Sequence, residues 1–318
     1  MFSILLTRKL PSSVLDKLRA IGDVDVYTGD AAIPPDELRA RVADKDALVC
    51  LLTDPVDRAV IDAAPKLKVV ANVAVGFNNI DVLYARSRGV VVTNTPDVLS
   101  ESVADFTWAL ILAITRRLSE GERLVRRGEW KGWAFDLLLG SELRGKQLGL
   151  VGVGRIGRAV AARASAFGMR VAYTSRRELE GVGSSTDPAV PMSLDRLLVS
   201  SDIVSLHVPL TAETKHLIDK RALARMKRSA YLINTARGPV VDEEALAWAL
   251  QQNLLAGAAL DVYEHEPVVH PDLLRLENVL LVPHLASGTT ETRTAMADLA
   301  ANNVIAVLEG RAPLTPVS

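Results

Sequence analysis

Short apolar runs recur along the chain, and each is followed by a stretch whose apolar positions fall at helical spacing. Strands buried on both faces of a parallel sheet and covered by helices produce this alternation. In the first hundred residues the pattern predicts strands at Phe2–Leu6, Val24–Tyr27, Ala47–Leu52, Lys68–Val73 and Val90–Val92. Helices are expected near Ser12–Ile21, Pro35–Val42, Arg58–Ala63 and Asn79–Ser87, with Pro34 and Pro35 suited to a helix start. Ser100–Leu118 reads as one long helix, with Ser102 and Asp105 as a capping pair and Arg116-Arg117 in its last turn. Gly121–Leu143, with Trp130 and Trp133, reads as a looser connection or interface arm.

A second series begins at Gly145. Its strands are expected at Gln147–Val151, Arg170–Tyr173, Ile203–Leu206, Ala230–Asn234, Ala258–Leu260 and Val279–Val282, with a polar surface loop at Gly183–Pro191. The last apolar-periodic segment is Glu291–Glu309. The fold class is α/β, with two doubly wound sheets. A length of 318 residues suits about two domains.

Composition narrows the classes of function. The 37 Lys and Arg nearly balance the 38 Asp and Glu, so nothing marks a generally basic nucleic-acid or membrane-surface protein. Cys50 is the single cysteine; it excludes an intrachain disulfide framework and fits a reducing compartment. The run after Met1 is too short for a signal-peptide core, so the expected location is the cytoplasm. No HExxH or CxxC spacing is present, and no metal is expected.

The sharpest motif is Gly152-Val153-Gly154-Arg155-Ile156-Gly157, which follows the apolar strand LGLV and opens an Ala-rich helix expected at Arg158–Phe167. A dinucleotide-binding turn needs this context: Gly152 for the tight turn, Gly154 for backbone approach to a pyrophosphate, Gly157 for close helix–strand packing. The next strand ends in Thr174-Ser175-Arg176-Arg177, where NAD-specific sites usually carry an acidic residue. Hydroxyls and arginines suit a 2′-phosphate, which favours NADP(H), with NAD(H) as the second reading. Glu178 complicates the choice.

Several expected strands end in polar residues: His207 before Val208-Pro209, Thr235-Ala236-Arg237, Asp261 through Glu266, and His284 through Ser287-Gly288. Singly, His207, His216, His265 and His270 read as surface or hydrogen-bonded residues, and Arg237 as a partner for Asp242-Glu243-Glu244. Together they suit reduction of a 2-oxo acid. Arg237 can grip carboxylate and ketone oxygen, His284 can deliver a proton, and Glu266 can hold the far ring nitrogen of the imidazolium.

The segments PKLKVVANVAVGFNNIDV, VVTNTPDVLSESVADF, LGLVGVGRIGRAVA, VSLHVPLTAETKHLI, LINTARGPVVDEEAL, ALDVYEHEP and NVLLVPHLASGTTETR resemble those of D-isomer-specific 2-hydroxyacid dehydrogenases over nearly the whole length. Within that family the chain is most similar to glyoxylate/hydroxypyruvate reductases. The resemblance implies a flavodoxin-like substrate-binding domain at 1–98 and 289–318, an inserted Rossmann dinucleotide-binding domain at 99–288, and an active site in the cleft. It places Arg237, Glu266 and His284 in the catalytic positions and assigns the substrate carboxylate to the backbone around Val75 and Gly76. Cofactor contacts would come from Gly152, Gly154, Arg155, Ile156, Gly157, Ser175, Arg176, Arg177, Val208, Pro209, Thr235, Ala236, Asp261, Ser287 and Gly288. It further implies a homodimer formed through the cofactor domain, and products of D configuration (glycolate or D-glycerate).

Ala71-Asn72-Val73-Ala74 lacks the arginine of phosphoglycerate dehydrogenases, and Glu266 stands where formate dehydrogenases carry Gln. The alternatives are a broader 2-ketoacid reductase, acting on 2-ketogluconate or hydroxyphenylpyruvate, and a non-enzymatic dinucleotide-sensing, corepressor-like protein.

Overall fold

The computed structural model describes residues 1–176, 181–182 and 189–317. In chain order the first elements are β1 (Phe2–Leu6), α1 (Ser12–Arg19), β2 (Gly22–Val26), α2 (Pro35–Val42), β3 (Ala47–Cys50), α3 (Arg58–Ala63), β4 (Val69–Asn72), α4 (Val82–Ser87) and β5 (Val91–Thr93). They are followed by α5 (Ser100–Thr115), α6 (Leu118–Arg126), β6 (Gln147–Val151), α7 (Arg155–Ala164), β7 (Arg170–Thr174), β8 (Val190–Pro191), α8 (Leu194–Ser200) and β9 (Ile203–Leu206). The chain ends with α9 (Lys220–Arg225), β10 (Tyr231–Asn234), α10 (Glu243–Gln251), β11 (Gly257–Leu260), β12 (Val279–Leu281) and α11 (Thr290–Leu308). It divides into two compact units, Met1–Leu99 with Thr289–Ser318, and Ser100–Gly288.

The first unit holds a parallel sheet of order β2-β1-β3-β4-β5, the flavodoxin-like order. Its inner strands β3 and β4 are buried at every position, which is why they read as unbroken apolar runs. Asp57 and Asp81 start α3 and α4 by accepting hydrogen bonds from the N–H groups of Val60 and Tyr84, both at 3.0 Å. Helix α11 packs on β3 and β4, and the tail after it runs beside edge strand β5. There the Val317 N–H donates to the Val92 carbonyl (2.8 Å), and buried Asn303 accepts from the N–H groups of Leu314 and Thr315. The tail thereby satisfies part of an otherwise open edge.

The second unit holds a parallel sheet of order β12-β11-β10-β9-β6-β7-β8. From β6 the chain proceeds outward through β7 to β8, then returns beside β6 at β9 and proceeds the other way to β12. The direction reverses between β6 and β9, and ligands of such sheets bind at the carboxyl ends beside that reversal. Apolar clusters cover both faces. One is built on Leu232, Leu246 and Leu260, the other on Leu148, Leu150, Ile111 and Trp108. Among the described residues, no helix is long and apolar enough to cross a membrane.

The helix expected over Ser100–Leu118 ends three residues early, and a second helix begins at Leu118. Helix α5 stops at Thr115, and Arg117 takes a left-handed φ of 53°. The cause is a distant segment: the Ser141 N–H donates to the Thr115 carbonyl (2.8 Å), and Gly140 lies so close that a Cβ there would collide with that carbonyl. Arg116 and Arg117 therefore fall outside the last turn of α5. The expected Ser102–Asp105 cap does not form either: the Ser102 hydroxyl donates to the Ala286 carbonyl, while Asp105 accepts from Arg163 Nε at 2.8 Å. The stretch expected to be loose begins as helix α6. The dinucleotide-turn helix starts three residues before its expected position, at Arg155.

Candidate active site

Three of the polar residues singled out in the second half of the sequence lie in the second unit past the carboxyl ends of its strands. Arg237 follows β10, Glu266 follows β11 and His284 follows β12, and these three strands are neighbours in the sheet. Parallel pairing thus brings to one rim side chains that stand far apart in sequence.

Glu266 Oε2 lies 2.9 Å from His284 Nδ1, and Glu266 Oε1 accepts the N–H of Tyr263 at 3.1 Å. Burial works to raise the Glu266 carboxyl, but the hydrogen bond and charge of His284, with help from Tyr263 and Arg237, hold it below its ordinary range. An ionised Glu266 makes Nδ1 the donor and leaves Nε2 as the outward nitrogen of the ring. His284 has a left-handed φ of 53°. That conformation is costly for a side chain of its size and is held by Asp261. The Asp261 carbonyl accepts the His284 N–H (2.9 Å), and its carboxylate accepts the N–H groups of Leu285 (2.5 Å) and Ala286 (3.0 Å). Asp261 is fully buried, and burial pushes its carboxyl up despite these bonds.

The Arg237 guanidinium donates to the Ala236 carbonyl at 2.7 Å, and burial pushes its pKa down, against the pull of the Glu266 charge. Asn234, which sequence reasoning did not single out, ties this turn at both ends. Its Nδ2 donates to the Arg237 carbonyl and its Oδ1 accepts from the Ala236 N–H, each at 3.0 Å. Gly238 is required because the Tyr263–Glu264 peptide passes directly over it: a Cβ would collide with the Tyr263 carbonyl.

The Gly152–Gly157 loop joins β6 to α7, at the reversal of the sheet. Gly152 has φ 92°, and a Cβ there would sit 2.9 Å from the His207 backbone. A Cβ on Gly157 would collide with the Gly152 carbonyl oxygen. At Gly154, which caps α7 without a side-chain bond, a Cβ would meet nothing within 4 Å. Two glycines are thus needed by the protein's own packing, while the space beside the third is open. This fits a dinucleotide pyrophosphate resting against the helix N-terminus. No acidic residue occupies the first turn of α7 to oppose it.

Ser175 and Arg176 are exposed beyond the end of β7. Arg176 adds to the effect by which a Thr211 hydrogen bond holds the Glu213 carboxyl low. Arg177 and Glu178 lie outside the described residues, as do positions 183–188 of the expected surface loop. Val208 and Pro209 follow β9, and Val208 packs beside Gly152. Thr235 is buried, with its hydroxyl 3.0 Å from that of Thr107. Ser287 and Gly288 close the turn after His284, with the Gly288 N–H donating to the Leu285 carbonyl (2.7 Å).

Three of the remaining histidines are hydrogen-bonded. His216 Nε2 lies 2.5 Å from Glu264 Oε1, and His270 Nδ1 accepts the Asp272 N–H. The His207 ring meets the Ser205 hydroxyl at 2.9 Å. Among the described residues no group of three or more His, Cys, Asp or Glu could hold a metal ion.

In the first unit, Val75 and Gly76 follow β4. The Asn94 amide donates to the Val75 carbonyl (2.7 Å), and that of fully buried Asn72 donates to the Gly76 carbonyl (2.8 Å). These side chains fix the planes of both peptides. A lone Asn has no periodic or spacing signature, so neither could be found in the sequence.

A profile of the NAD-binding domain of D-isomer specific 2-hydroxyacid dehydrogenases matches residues 108–286. A glyoxylate reductase from Thermofilum pendens is 50% identical over 98% of this chain and 92% of its own length. The crystal structure of the TT0316 protein from Thermus thermophilus superposes with a TM-score of 0.93, at 46% identity, covering 99% of this chain and 100% of the other. That of an NADPH-dependent glyoxylate/hydroxypyruvate reductase from Sinorhizobium meliloti, in complex with NADP and malonate, superposes at 0.89. It is 38% identical, with 99% of this chain and 96% of that one covered. The matched profile and this near-full-length likeness place the chain in the family of D-isomer specific 2-hydroxyacid dehydrogenases.

Proposed function

We propose that the protein reduces glyoxylate and hydroxypyruvate to glycolate and D-glycerate with NADPH. The observation that carries this reading is the Glu266–His284 pair, closed at 2.9 Å, on the same strand-end rim as Arg237 and the glycine loop. Support for the substrate class comes from relatives named glyoxylate reductase and glyoxylate/hydroxypyruvate reductase.

A bound dinucleotide would supply hydride for C2 of the 2-oxo acid. The Gly152–Gly157 backbone and the start of α7 would hold its pyrophosphate, with the turns at Val208-Pro209, Thr235-Ala236 and Ser287-Gly288 beside it, and Ser175 and Arg176 would take a 2′-phosphate. Arg237 clamps the substrate carboxylate and keto oxygen, which draws electron density toward that oxygen and prepares C2 for hydride. His284 Nε2 gives its proton to the oxygen, while Glu266 holds the ring in register.

The protein works as a homodimer. The segment after α6 supports this: Trp130, Trp133, Phe135, Leu137 and Leu139, close together in sequence, are 40–83% exposed. The proposed location is the cytoplasm, where buried, unpaired Cys50 stays reduced.

Following nicotinamide absorbance with glyoxylate, hydroxypyruvate, 2-ketogluconate and hydroxyphenylpyruvate, each with NADPH and NADH, tests the reading. The expected order of kcat/KM places the first two substrates and NADPH foremost, and Arg176→Ala weakens NADPH far more than NADH. Preference for the larger acids would make the enzyme a broader 2-ketoacid reductase; silence with all four would sink the assignment. Light scattering tests the dimer, which Trp133→Ser with Phe135→Ser should split.

A further inference from the structure

We infer that Glu243, a buried carboxylate outside the reacting set, is a positioning residue for the Glu266–His284 pair; this inference rests on the function proposed above. Glu243 opens α10 and is 5% exposed. It is not needed to cap that helix, because Asp242 already accepts the Ala245 N–H at 2.9 Å. Instead its carboxylate reaches to the neighbouring strand-end loop and straddles Glu266. Oε1 accepts the N–H of Glu264 (2.5 Å) and Oε2 accepts the N–H of His270 (3.3 Å).

Glu266 thus lies inside a loop pinned at both ends by one side chain. From the pinned Glu264 the chain of contacts runs through the adjoining Tyr263 N–H to Glu266 Oε1, and from Glu266 Oε2 to His284 Nδ1. The same clamp sets the loop against Arg237, because Glu243 lies six residues beyond it and Gly238 packs flush on the Tyr263–Glu264 peptide. The two segments that carry Arg237 and Glu266 are therefore held in one register by Gly238 on one side and Glu243 on the other.

Burying a carboxylate is expensive unless its charge does structural work through hydrogen bonds. Burial does push the Glu243 carboxyl up, and the two N–H bonds offset only part of that. The titratable groups facing it are Glu264, itself paired with His216, and His270. None of them supplies a compensating ion pair of its own to Glu243, so the bonds to the loop are what the position provides.

The test compares Glu243→Gln with wild type in glyoxylate reduction by NADPH across pH, with melting temperature measured alongside. Gln keeps the size but offers one acceptor in place of two, so one end of the loop is released. The expected result is a fall in kcat of about ten- to a hundredfold with an unchanged KM for NADPH. A folded Glu243→Gln with wild-type kcat would overturn the inference, even if its melting temperature fell. If that variant does not fold, Glu243→Asp, which keeps the charge but shortens the reach, is read by the same two outcomes. His284→Ala serves as the control. Its inactivity beside a wild-type-like Glu243 variant refutes only the positioning role, whereas an active His284→Ala refutes the proposed function itself.

Discussion

The imidazole of His207 is the clearest titration built into this fold. Its backbone and Cβ pack against the Gly152–Gly157 loop, its ring lies 2.9 Å from the Ser205 hydroxyl, and burial pushes its pKa from 6.5 down to about 4. The unfolded chain binds a proton there near pH 6.5, while the folded protein refuses it until about pH 4. Between those values the unfolded state holds more protons, so stability must fall as pH falls. At pH 5 the difference amounts to about 2 kcal/mol relative to neutral pH. For a unit of this size that corresponds to a melting temperature lower by about 4–8 °C. The assay is the melting temperature of wild type and His207→Asn at a series of pH values from 7.5 to 5, at constant ionic strength. The variant lacks the titrating ring, so its curve should be flatter by that amount whatever its stability at neutral pH. Other groups that titrate in the window are common to both proteins and cancel in the difference. Parallel curves would refute the claim that His207 is held neutral by burial.

Further outcomes follow from the same geometry. Gly238→Ala places a Cβ into the Tyr263 carbonyl and should cost more than about 3 kcal/mol, seen as a steep loss of melting temperature and activity. Gly154→Ala meets nothing in the protein, so its melting temperature should match wild type while KM for NADPH rises, because only the ligand uses that space. Glu266→Gln should lower kcat by about ten- to a hundredfold, because the carboxylate that fixes the orientation of the His284 ring is gone. The depressed Glu266 carboxyl also contributes stability above the ordinary carboxylate pKa that is lost as pH falls through its folded value, and acid titration of the variant should lack that component. Asp219→Ala removes the acceptor for the Ala222 N–H at the start of α9 and should cost about 1 kcal/mol, measurable by chemical denaturation.

Much of the rim was legible in the sequence because its signals are local. Gly152 and Gly157 announce a turn that admits no side chain, and the structure supplies the atoms a side chain would strike. Arg237, Glu266 and His284 stand out because charged residues at the ends of apolar strands have no packing reason to be there. Asn234, Asp261 and Glu243 were not singled out for positioning. Each works by hydrogen-bonding backbone N–H or C=O groups, and such bonds impose no period and no motif on the chain. Asp261 did attract notice, but as a cofactor contact; the structure shows its carboxylate turned inward to hold the loop of His284.

The alternation of apolar runs with helical periodicity determines, without coordinates, that this chain forms parallel α/β sheets, because strand and helix periods are properties of neighbouring residues. Where one helix must break is different: the pattern carries the helix on to Leu118, whereas α5 stops at Thr115, where the Gly140–Ser141 segment folds back onto its carbonyl. The order of the strands is likewise a tertiary decision. It makes β10, β11 and β12 neighbours and brings Arg237, Glu266 and His284 to one edge of the sheet. Side-chain identity is written residue by residue, but proximity between positions so far apart depends on which strands share backbone hydrogen bonds. Packing of the whole unit settles that choice.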